Sequence, residues 1–298
     1  MWPDEVRPYF GRGDEFHMAF HFPVMPRLFM AVQLEDRKPL VDILERTPEI
    51  PPGCQWGIFL RNHDELTLEM VNTIERSYML ESYAPDVKAR VNVGIRRRLS
   101  PLLEGDMQRI RLLNGMLMAL PGSPFLYYGD EIGMGDNFYL GDRNAVRTPM
   151  QWSGGWNGGF STADPEQLYL PLVANPIFGY QSVNVAAQRR SPGSLLRWTQ
   201  RIIRVRRGSR ALGRGTFELL FPENHRILAF IRRFDGETIL AVFNLGASAQ
   251  AVTLDLSRAE GSVPIEMFGG SVFPRVHGGD YVLTLGPYDF YWFKLLNL

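Results

Sequence analysis

Four consecutive polar residues carry the clearest chemistry in this sequence. Asn-His-Asp-Glu occupies positions 62–65, directly after an apolar run at 56–60 that has the pattern of a strand buried on both faces. A carboxylate fixed at the end of such a strand can stabilise developing positive charge, and a neighbouring imidazole can hydrogen-bond sugar hydroxyl groups. The same residues could instead cap a helix that begins near Leu66. Both interpretations stay open from these four residues alone.

A second polar segment lies at positions 141–152. It carries two arginines, Arg143 and Arg147, followed by Thr-Pro-Met-Gln-Trp at 148–152. Arginine presents a planar fork of N–H donors that fits carboxylates and neighbouring oxygens, so this pair could serve a polyhydroxy substrate. The alternative is a pair of structural ion pairs at the surface or under a loop.

Strands and helices must position these two segments. The run at 56–60 and another at 125–128 predict buried strands, and each is followed at once by polar residues. Helices are predicted over 107–120 and 195–206. Because polar residues follow the strand ends, the layout favours an α/β barrel with its sites at that face. A complete (β/α)8 TIM barrel has eight strand-helix units in about 250 residues, and residues 1–211 hold about three.

From residue 212 the pattern changes to short strand candidates separated by turns. Asp235-Gly236 is a typical hairpin turn between two of them. The candidates are 217–221, 227–231, 238–243, 251–256, 281–285 and 290–293. We therefore expect two fold classes in one chain, α/β over residues 1–211 and an all-β antiparallel sandwich over 212–298.

Charge and composition exclude several classes of partner. Lys+Arg and Asp+Glu each number 32, so the net charge is zero and no nucleic-acid partner is expected. No window approaches the roughly 20 apolar residues of a membrane span, so no membrane partner is expected. The one cysteine, Cys54, excludes an internal disulfide and favours the cytoplasm. No dense cluster of oxygen ligands predicts a metal site. The basic stretches at 96–98 and 204–210 are interpreted as solvated helix faces.

Three segments together resemble the α-amylase superfamily. Residues 59–65 resemble its fourth conserved region, residues 127–131 its eighth barrel strand, and residues 143–152 a segment of its α-glucosidase-like branch. Within that branch, four stretches are similar to the trehalose synthases, namely 17–23, 61–70, 129–137 and 286–293. The resemblance implies the C-terminal part of a TIM barrel followed by a β-sandwich domain. It also implies an isomerase that converts maltose to trehalose by intramolecular transglucosylation.

The resemblance implies roles for single residues. Such enzymes resemble retaining glycosidases, in which one carboxylate attacks the anomeric carbon and a second acts as general acid and base. Asp64 matches a third carboxylate, which stabilises the oxocarbenium-like transition state. His63 matches the residue that hydrogen-bonds the same sugar. Arg143 matches the arginine that helps to close the glucose pocket, whereas Arg147 is assigned a structural role.

Asn62, Glu65 and Glu69 complete the expected substrate-binding set. Glu65 and Glu69 could face the second sugar or hold a lid loop by ion pairs, and carboxylates on a helix surface are the alternative. The expected partner is a small disaccharide, maltose or trehalose. No cofactor is required, and Ca²⁺ could bind the full-length enzyme, although this segment gives no support for it.

Two carboxylates of the superfamily are missing from these 298 residues. The Gly-x-Arg-x-Asp segment of the nucleophile is not present, and the Glu-Ala-Asn-type segment of the general acid would end just before Trp2. We therefore expect that the chain begins immediately after the acid and that it has no activity alone. Three barrel units leave open sheet edges, which invite pairing with another chain. A homo-oligomer or a complementing N-terminal half could cover them.

Two other functions stay open at this stage. An α-glucosidase or α-amylase would use water as the acceptor, and the segment at 143–152 does not separate it from a synthase, although residues 17–23 favour the synthase. A non-catalytic carbohydrate-binding or assembly module could also be built on the β domain. Such a module would have no need for Asp64 or Arg143.

Overall fold

The computed structural model describes residues 1–296, and short strands alternate with helices up to residue 214. The helices are α1 (Pro3–Val6), α2 (Val24–Leu34), α3 (Lys38–Arg46), α4 (Thr73–Tyr83), α5 (Leu99–Leu102), α6 (Met107–Ala119), α7 (Val185–Arg190), α8 (Leu195–Arg207) and α9 (Arg210–Arg214). The strands of this part are β1 (Met18–Phe20), β2 (Gln55–Phe59), β3 (Leu66–Thr67), β4 (Arg90–Val91), β5 (Gly94–Ile95) and β6 (Ser123–Phe125). Among residues 1–296, no helix has both the length and the apolar character needed to cross a membrane.

The strands β1, β2 and β6 form one sheet in that order, and β1 and β2 run parallel. Every residue of β2 after Gln55 is buried, as its apolar sequence predicts. The strand predicted at 125–128 is wrong in its bounds, because β6 ends at Phe125. Tyr127 and Tyr128 leave the strand conformation, and their hydroxyl groups donate to main-chain carbonyls at positions 146 and 148.

The rest of the described chain is antiparallel β structure. Its strands are β7 (Thr216–Leu220), β8 (Ile227–Phe234), β9 (Glu237–Asn244), β10 (Gln250–Asp255), β11 (Val263–Glu266), β12 (Asp280–Leu285) and β13 (Phe290–Leu296). One sheet has the order β11-β13-β9-β8-β7, and the other pairs β10 with β12. Buried residues of both sheets, such as Leu240 and Leu283, belong to one apolar core. The two sheets therefore bury their inner faces against each other.

The hairpin predicted at Asp235-Gly236 is confirmed. Both residues have positive φ angles, 49° and 77°, as a two-residue turn of the primed type requires. The short strand β11 was not predicted, because Pro264 interrupts its apolar pattern. β11 lies at the edge of its sheet, where a residue without an N–H group is tolerated.

The described residues divide into two compact units, and both are discontinuous in sequence. The first unit contains residues 1–58 and 111–124 together with the chain from 201 onward, which includes the β domain. The second unit contains residues 59–110 and 125–200. The domain division predicted at residues 211 and 212 stays a prediction.

The basic stretch at 96–98 is not the solvated helix face that its composition predicts, whereas in the stretch at 204–210 Arg204, Arg207 and Arg210 are exposed on helices and Arg206 is the exception. In the first unit, Arg206 donates to the carbonyls of Met118 and Gly122 at the end of α6, and burial lowers its pKa to about 10. In the second unit, Arg98 is fully buried and lies in the short connection between β5 and α5. Guanidinium groups that bind main-chain carbonyls account for both positions.

Candidate functional site

The polar segment at 62–65 forms a loop between β2 and β3. Within it, the side-chain Oδ1 of Asn62 accepts a hydrogen bond from the main-chain N–H of Asp64 at 2.9 Å. This turn is typical of asparagine, whose side chain can bind its own backbone two residues on. The turn fixes the direction of the loop as the chain leaves the buried strand. It thereby presents the side chain of Asp64, which is 38% exposed.

The alternative interpretation of this segment as a helix cap is wrong. The residues that follow Glu65 form β3, and the next helix, α4, begins only at Thr73. Asn72 caps that helix by accepting from the N–H of Glu75 at 2.9 Å. Glu65 and Glu69 are accordingly not carboxylates on a helix surface. The polar residues at 62–65 remain available for other contacts.

Arg143 connects the two polar segments that the sequence singles out. Its Nε donates to Asp64 Oδ1 at 2.6 Å and to Glu65 Oε2 at 3.1 Å. Its Nη1 donates to Asp142 Oδ1 at 3.0 Å. Residues 79 positions apart in the chain therefore form one cluster of ion pairs. Because three carboxylates face one guanidinium, the cluster keeps an excess of negative charge when all of them are ionised.

The cluster favours the ionised form of Asp64. The pKa of Asp64 is held well below its ordinary value by the side-chain interaction with Glu65 and by the hydrogen bond from Arg143. The main-chain N–H of Glu65 also donates to Asp64 Oδ1 at 3.0 Å. The pKa of Arg143 is raised, first by Asp64 and then by Asp142. At neutral pH this site thus holds a fixed negative charge, as the stabilisation of a cationic transition state requires.

The other predicted residues lie around this cluster to different degrees. The side chain of His63 is exposed, and its carbonyl accepts from Arg147 Nε at 2.9 Å, so Arg147 binds the main chain of the site. Glu69 is exposed, and within residues 1–296 its side chain has no hydrogen bond or ion pair. The structure therefore joins Asn62, Asp64, Glu65 and Arg143, but it does not bring Glu69 to Arg143.

Three further residues contact the site and were not predicted. Asp142 pairs with Arg143, Asn92 donates to Glu65 Oε1 at 3.1 Å, and buried Arg61 donates to the carbonyl of Asp64. The contact of Arg61 could have been predicted from its position, since it is a charged residue directly after an apolar strand. The position of Asp142 next to Arg143 was a weaker indication, and nothing in the sequence points to Asn92.

The described part of the chain offers no ready-made metal centre. No group of three or more His, Cys, Asp or Glu side chains within residues 1–296 is arranged to hold a metal ion. The carboxylates of the site are instead bound to arginine.

Comparisons with known proteins divide the chain between two families. Residues 95–215 match the family of α-amylase catalytic domains, and residues 217–292 match the C-terminal domain of maltogenic amylases. An α-amylase from H. orenii shares the fold with a TM-score of 0.71 at 19% identity, over 99% of this chain and 52% of that one. The described chain is therefore part of an α-amylase-type catalytic domain followed by an antiparallel β domain.

Similarity to two curated proteins is much higher. The trehalose synthase of Pimelobacter sp. strain R48 is 54% identical over 310 residues, covering 100% of this chain and 54% of the relative. The trehalose synthase/amylase TreS of Mycobacterium tuberculosis is 52% identical over 302 residues, covering 99% of this chain and 50% of the relative. The chain thus spans about half the length of the curated relatives that it matches.

Proposed function

We propose that this chain, which belongs to the α-amylase family and is homologous to trehalose synthases along its whole length, supplies part of an active site that isomerises maltose to trehalose. The observation that carries the proposal is the pair of Asp64 Oδ1 and Arg143 Nε at 2.6 Å. It fixes an ionised carboxylate on the loop that follows a buried strand. In the proposed enzyme, this carboxylate is the third acidic group of a retaining mechanism.

The chemistry has two transfer steps. In the first, a nucleophilic carboxylate from outside these 298 residues attacks the anomeric carbon of maltose, and a second acid protonates the departing glucose oxygen. The released glucose then turns within the site, and its anomeric hydroxyl attacks the glycosyl-enzyme carbon. The acid, now a base, takes that hydroxyl proton as the carboxylate leaves. Both steps pass through an oxocarbenium-like transition state that Asp64 stabilises by its negative charge.

His63 and the Arg143 cluster have separate roles in this scheme. The exposed imidazole of His63 is free to hydrogen-bond hydroxyl groups of the sugar that Asp64 holds. Arg143, Glu65 and Asp142 join two loops around that sugar, and a closed pocket keeps out the water that would compete with glucose. Glu69, exposed and five residues after Asp64, faces the second sugar in our proposal.

A chimera tests the proposal. In it, the part of the Pimelobacter trehalose synthase that this chain does not match is fused in front of Met1. We expect the chimera to convert maltose to trehalose, measured by ¹H NMR of the anomeric protons, and the 298-residue chain alone to leave maltose unchanged. Conversion of maltose by the chain alone would contradict the proposal, because the nucleophile lies outside it. A folded chimera that leaves maltose intact would contradict it as well.

Substitution of Arg143 by lysine is expected to shift the products of the chimera from trehalose towards glucose. Lysine is a point charge and cannot bridge Asp64, Glu65 and Asp142 at once, so the loops open to water more often. The glucose share should rise about tenfold, the equivalent of ~1.4 kcal/mol between the two acceptors. Arg90→Lys is the control for loss of a guanidinium, since Arg90 binds two main-chain carbonyls of the same unit outside the cluster. An unchanged product ratio in Arg143→Lys would exclude a closing role for Arg143.

Hydrolysis is the second candidate function. The Mycobacterium tuberculosis relative is named a trehalose synthase/amylase, and water as the acceptor would give glucose from the same site. The ratio of trehalose to glucose made by the chimera distinguishes the two. We place the enzyme in the cytoplasm, because the one cysteine of these 298 residues needs no oxidising compartment. The proposed partners are a disaccharide and the complementing catalytic segment.

A further inference from the structure

We infer that Arg61 and Arg96 are positioning residues. Through a closed ring of contacts in the second unit, they together hold the side chains of Asp64 and Arg143 in the position in which the two form their ion pair. The inference rests on the proposed role of Asp64. Each of the two arginines binds one main-chain carbonyl near it in sequence and at least one that lies more than 30 residues away. Neither touches the sugar in the proposed mechanism.

Arg61 forms the buried side of the ring. Its Nη2 donates to the carbonyl of Asp64 at 2.8 Å, and its Nε donates to the carbonyl of Arg97 at 2.7 Å. Arg61 is only 1% exposed, and burial lowers its pKa to about 10, so it is still charged at neutral pH. A planar guanidinium can bind two carbonyls in fixed directions, which a lysine ammonium cannot do as rigidly. Arg61 therefore ties the main chain of Asp64 to the segment that follows β5.

Arg96 forms the opposite side. Its Nη1 donates to the carbonyls of Leu140 at 3.0 Å and Asp142 at 2.9 Å, and its Nε donates to the carbonyl of Lys88 at 2.8 Å. Asp142 has a φ angle of +51°, a left-handed conformation that is unfavourable for most residues other than glycine. A hydrogen bond to its carbonyl stabilises this conformation, which sets the direction in which the next residue, Arg143, leaves the main chain.

The two sides meet because residues 96 and 97 are neighbours in the chain. The ring runs from the Asp64 carbonyl through Arg61 to residue 97, and from Arg96 through Asp142 to Arg143. It closes where Arg143 Nε binds the Asp64 carboxylate at 2.6 Å. Every contact in the ring is between 2.6 and 2.9 Å. In a closed ring, loss of any one contact loosens the pair on the far side, so variants at distant positions should have the same effect on Asp64.

The Asp64 carboxylate reports on the ring in the 298-residue chain. We expect both Arg61→Met and Arg96→Met to raise the pKa of Asp64 by about one unit, since loss of a well-placed opposite charge shifts a carboxyl by roughly one to three units. The shift is read by NMR titration of ¹³C-labelled aspartate, with Asp64→Asn to assign the signal. Glu65 and Arg143 are the charged groups that contact the Asp64 carboxylate, so both stay unchanged in these variants.

Arg90→Met is the control for lost arginine contacts. Arg90 also binds two main-chain carbonyls, those of Ala84 and Leu80, and neither belongs to the ring. The Arg90→Met variant should lower the melting temperature without changing the pKa of Asp64. Arg96→Met carries the test if Arg61→Met does not fold, since Arg96 is only half-buried. A folded Arg96→Met chain with an unchanged Asp64 pKa would overturn the inference.

The chimera gives an independent readout. There, Arg96→Met and Arg61→Lys should lower kcat for maltose by about 10- to 100-fold, as expected for a small misplacement of a reacting group, with little change in KM. Arg90→Met should leave both constants unchanged. If the unsubstituted chimera does not convert maltose, the proposed function fails, whereas the titration of Asp64 still decides whether the ring exists. If Arg96→Met changes KM alone, the positioning role is wrong.

Discussion

Replacement of Asp64 by asparagine is expected to lower kcat of the chimera for maltose by about 10³-fold, the equivalent of ~4 kcal/mol of transition-state stabilisation. Asparagine keeps the size of the side chain and can still accept from Arg143, but it removes the negative charge. That charge acts mainly in the transition state, when positive charge develops on the sugar ring. We therefore expect a small change in KM and a large one in kcat.

Asp164→Asn is the control for this variant. Asp164 is an exposed aspartate of the same unit and has no side-chain partner among the described residues, so its replacement should leave kcat unchanged. Steady-state rates of trehalose formation measure both variants. An Asp64→Asn chimera with more than about a tenth of the original kcat would remove Asp64 from the mechanism, since such a loss corresponds to only ~1.4 kcal/mol.

Replacement of Asp130 by asparagine is expected to stabilise the 298-residue chain above pH 7 and to have little effect near pH 4. Burial raises the pKa of Asp130 to about 7, because desolvation outweighs the attraction of Arg98 and Arg61, and Glu131 adds repulsion. Its Oδ1 has no hydrogen-bond donor among the described residues. Between about pH 4 and 7, the folded chain keeps a proton that the unfolded chain releases, so stability falls as the pH rises.

The size of this effect follows from the shift. A pKa shift of about three units corresponds to roughly 4 kcal/mol in the free energy of unfolding. The free energy changes by at most ~1.4 kcal/mol for each pH unit. Urea unfolding of both chains at pH 4 to 8 measures the difference, which should grow with pH in favour of Asp130→Asn. For the control variant Asp164→Asn, the difference in unfolding free energy from the original chain should not change with pH. If the difference for Asp130→Asn does not change with pH, or grows in favour of the original chain, the claim that burial of a charged Asp130 destabilises the fold is wrong.

Local patterns were sufficient to predict much of the fold. The apolar run at 56–60 and the helical spacing at 107–120 correspond to β2 and α6, since each element is specified by its own residues. Six of the seven strands described after residue 215 were predicted as well, because turns such as Asp235-Gly236 separate them, and only β11 was missed. The end of β6 could not be predicted, since the hydroxyl groups of Tyr127 and Tyr128 donate to carbonyls 19 and 20 residues further along the chain.

Only those contacts of the site that join two side chains could be predicted from the sequence. Asp64 and Arg143 carry opposite charges in segments with recognisable motifs, and the structure joins them. Arg61 and Arg96 act on carbonyl groups, which every residue possesses and which no sequence pattern marks. Their partners lie 36 and 46 residues away, so the contacts depend on the completed fold. The basic composition of residues 96–98 gives no sign of these contacts, and it therefore led to the wrong interpretation of the stretch as a solvated helix face.

The product of maltose turnover in the presence of labelled glucose tests the central claim most directly. The chimera is incubated with unlabelled maltose and excess [¹³C]glucose, and the products are analysed by NMR. In the proposed mechanism the site retains the released glucose and excludes water, so trehalose should be the main product, with less than roughly a tenth of it labelled. Glucose as the main product, or label in trehalose in proportion to free glucose, would contradict the claim that this chain forms part of a closed isomerising site.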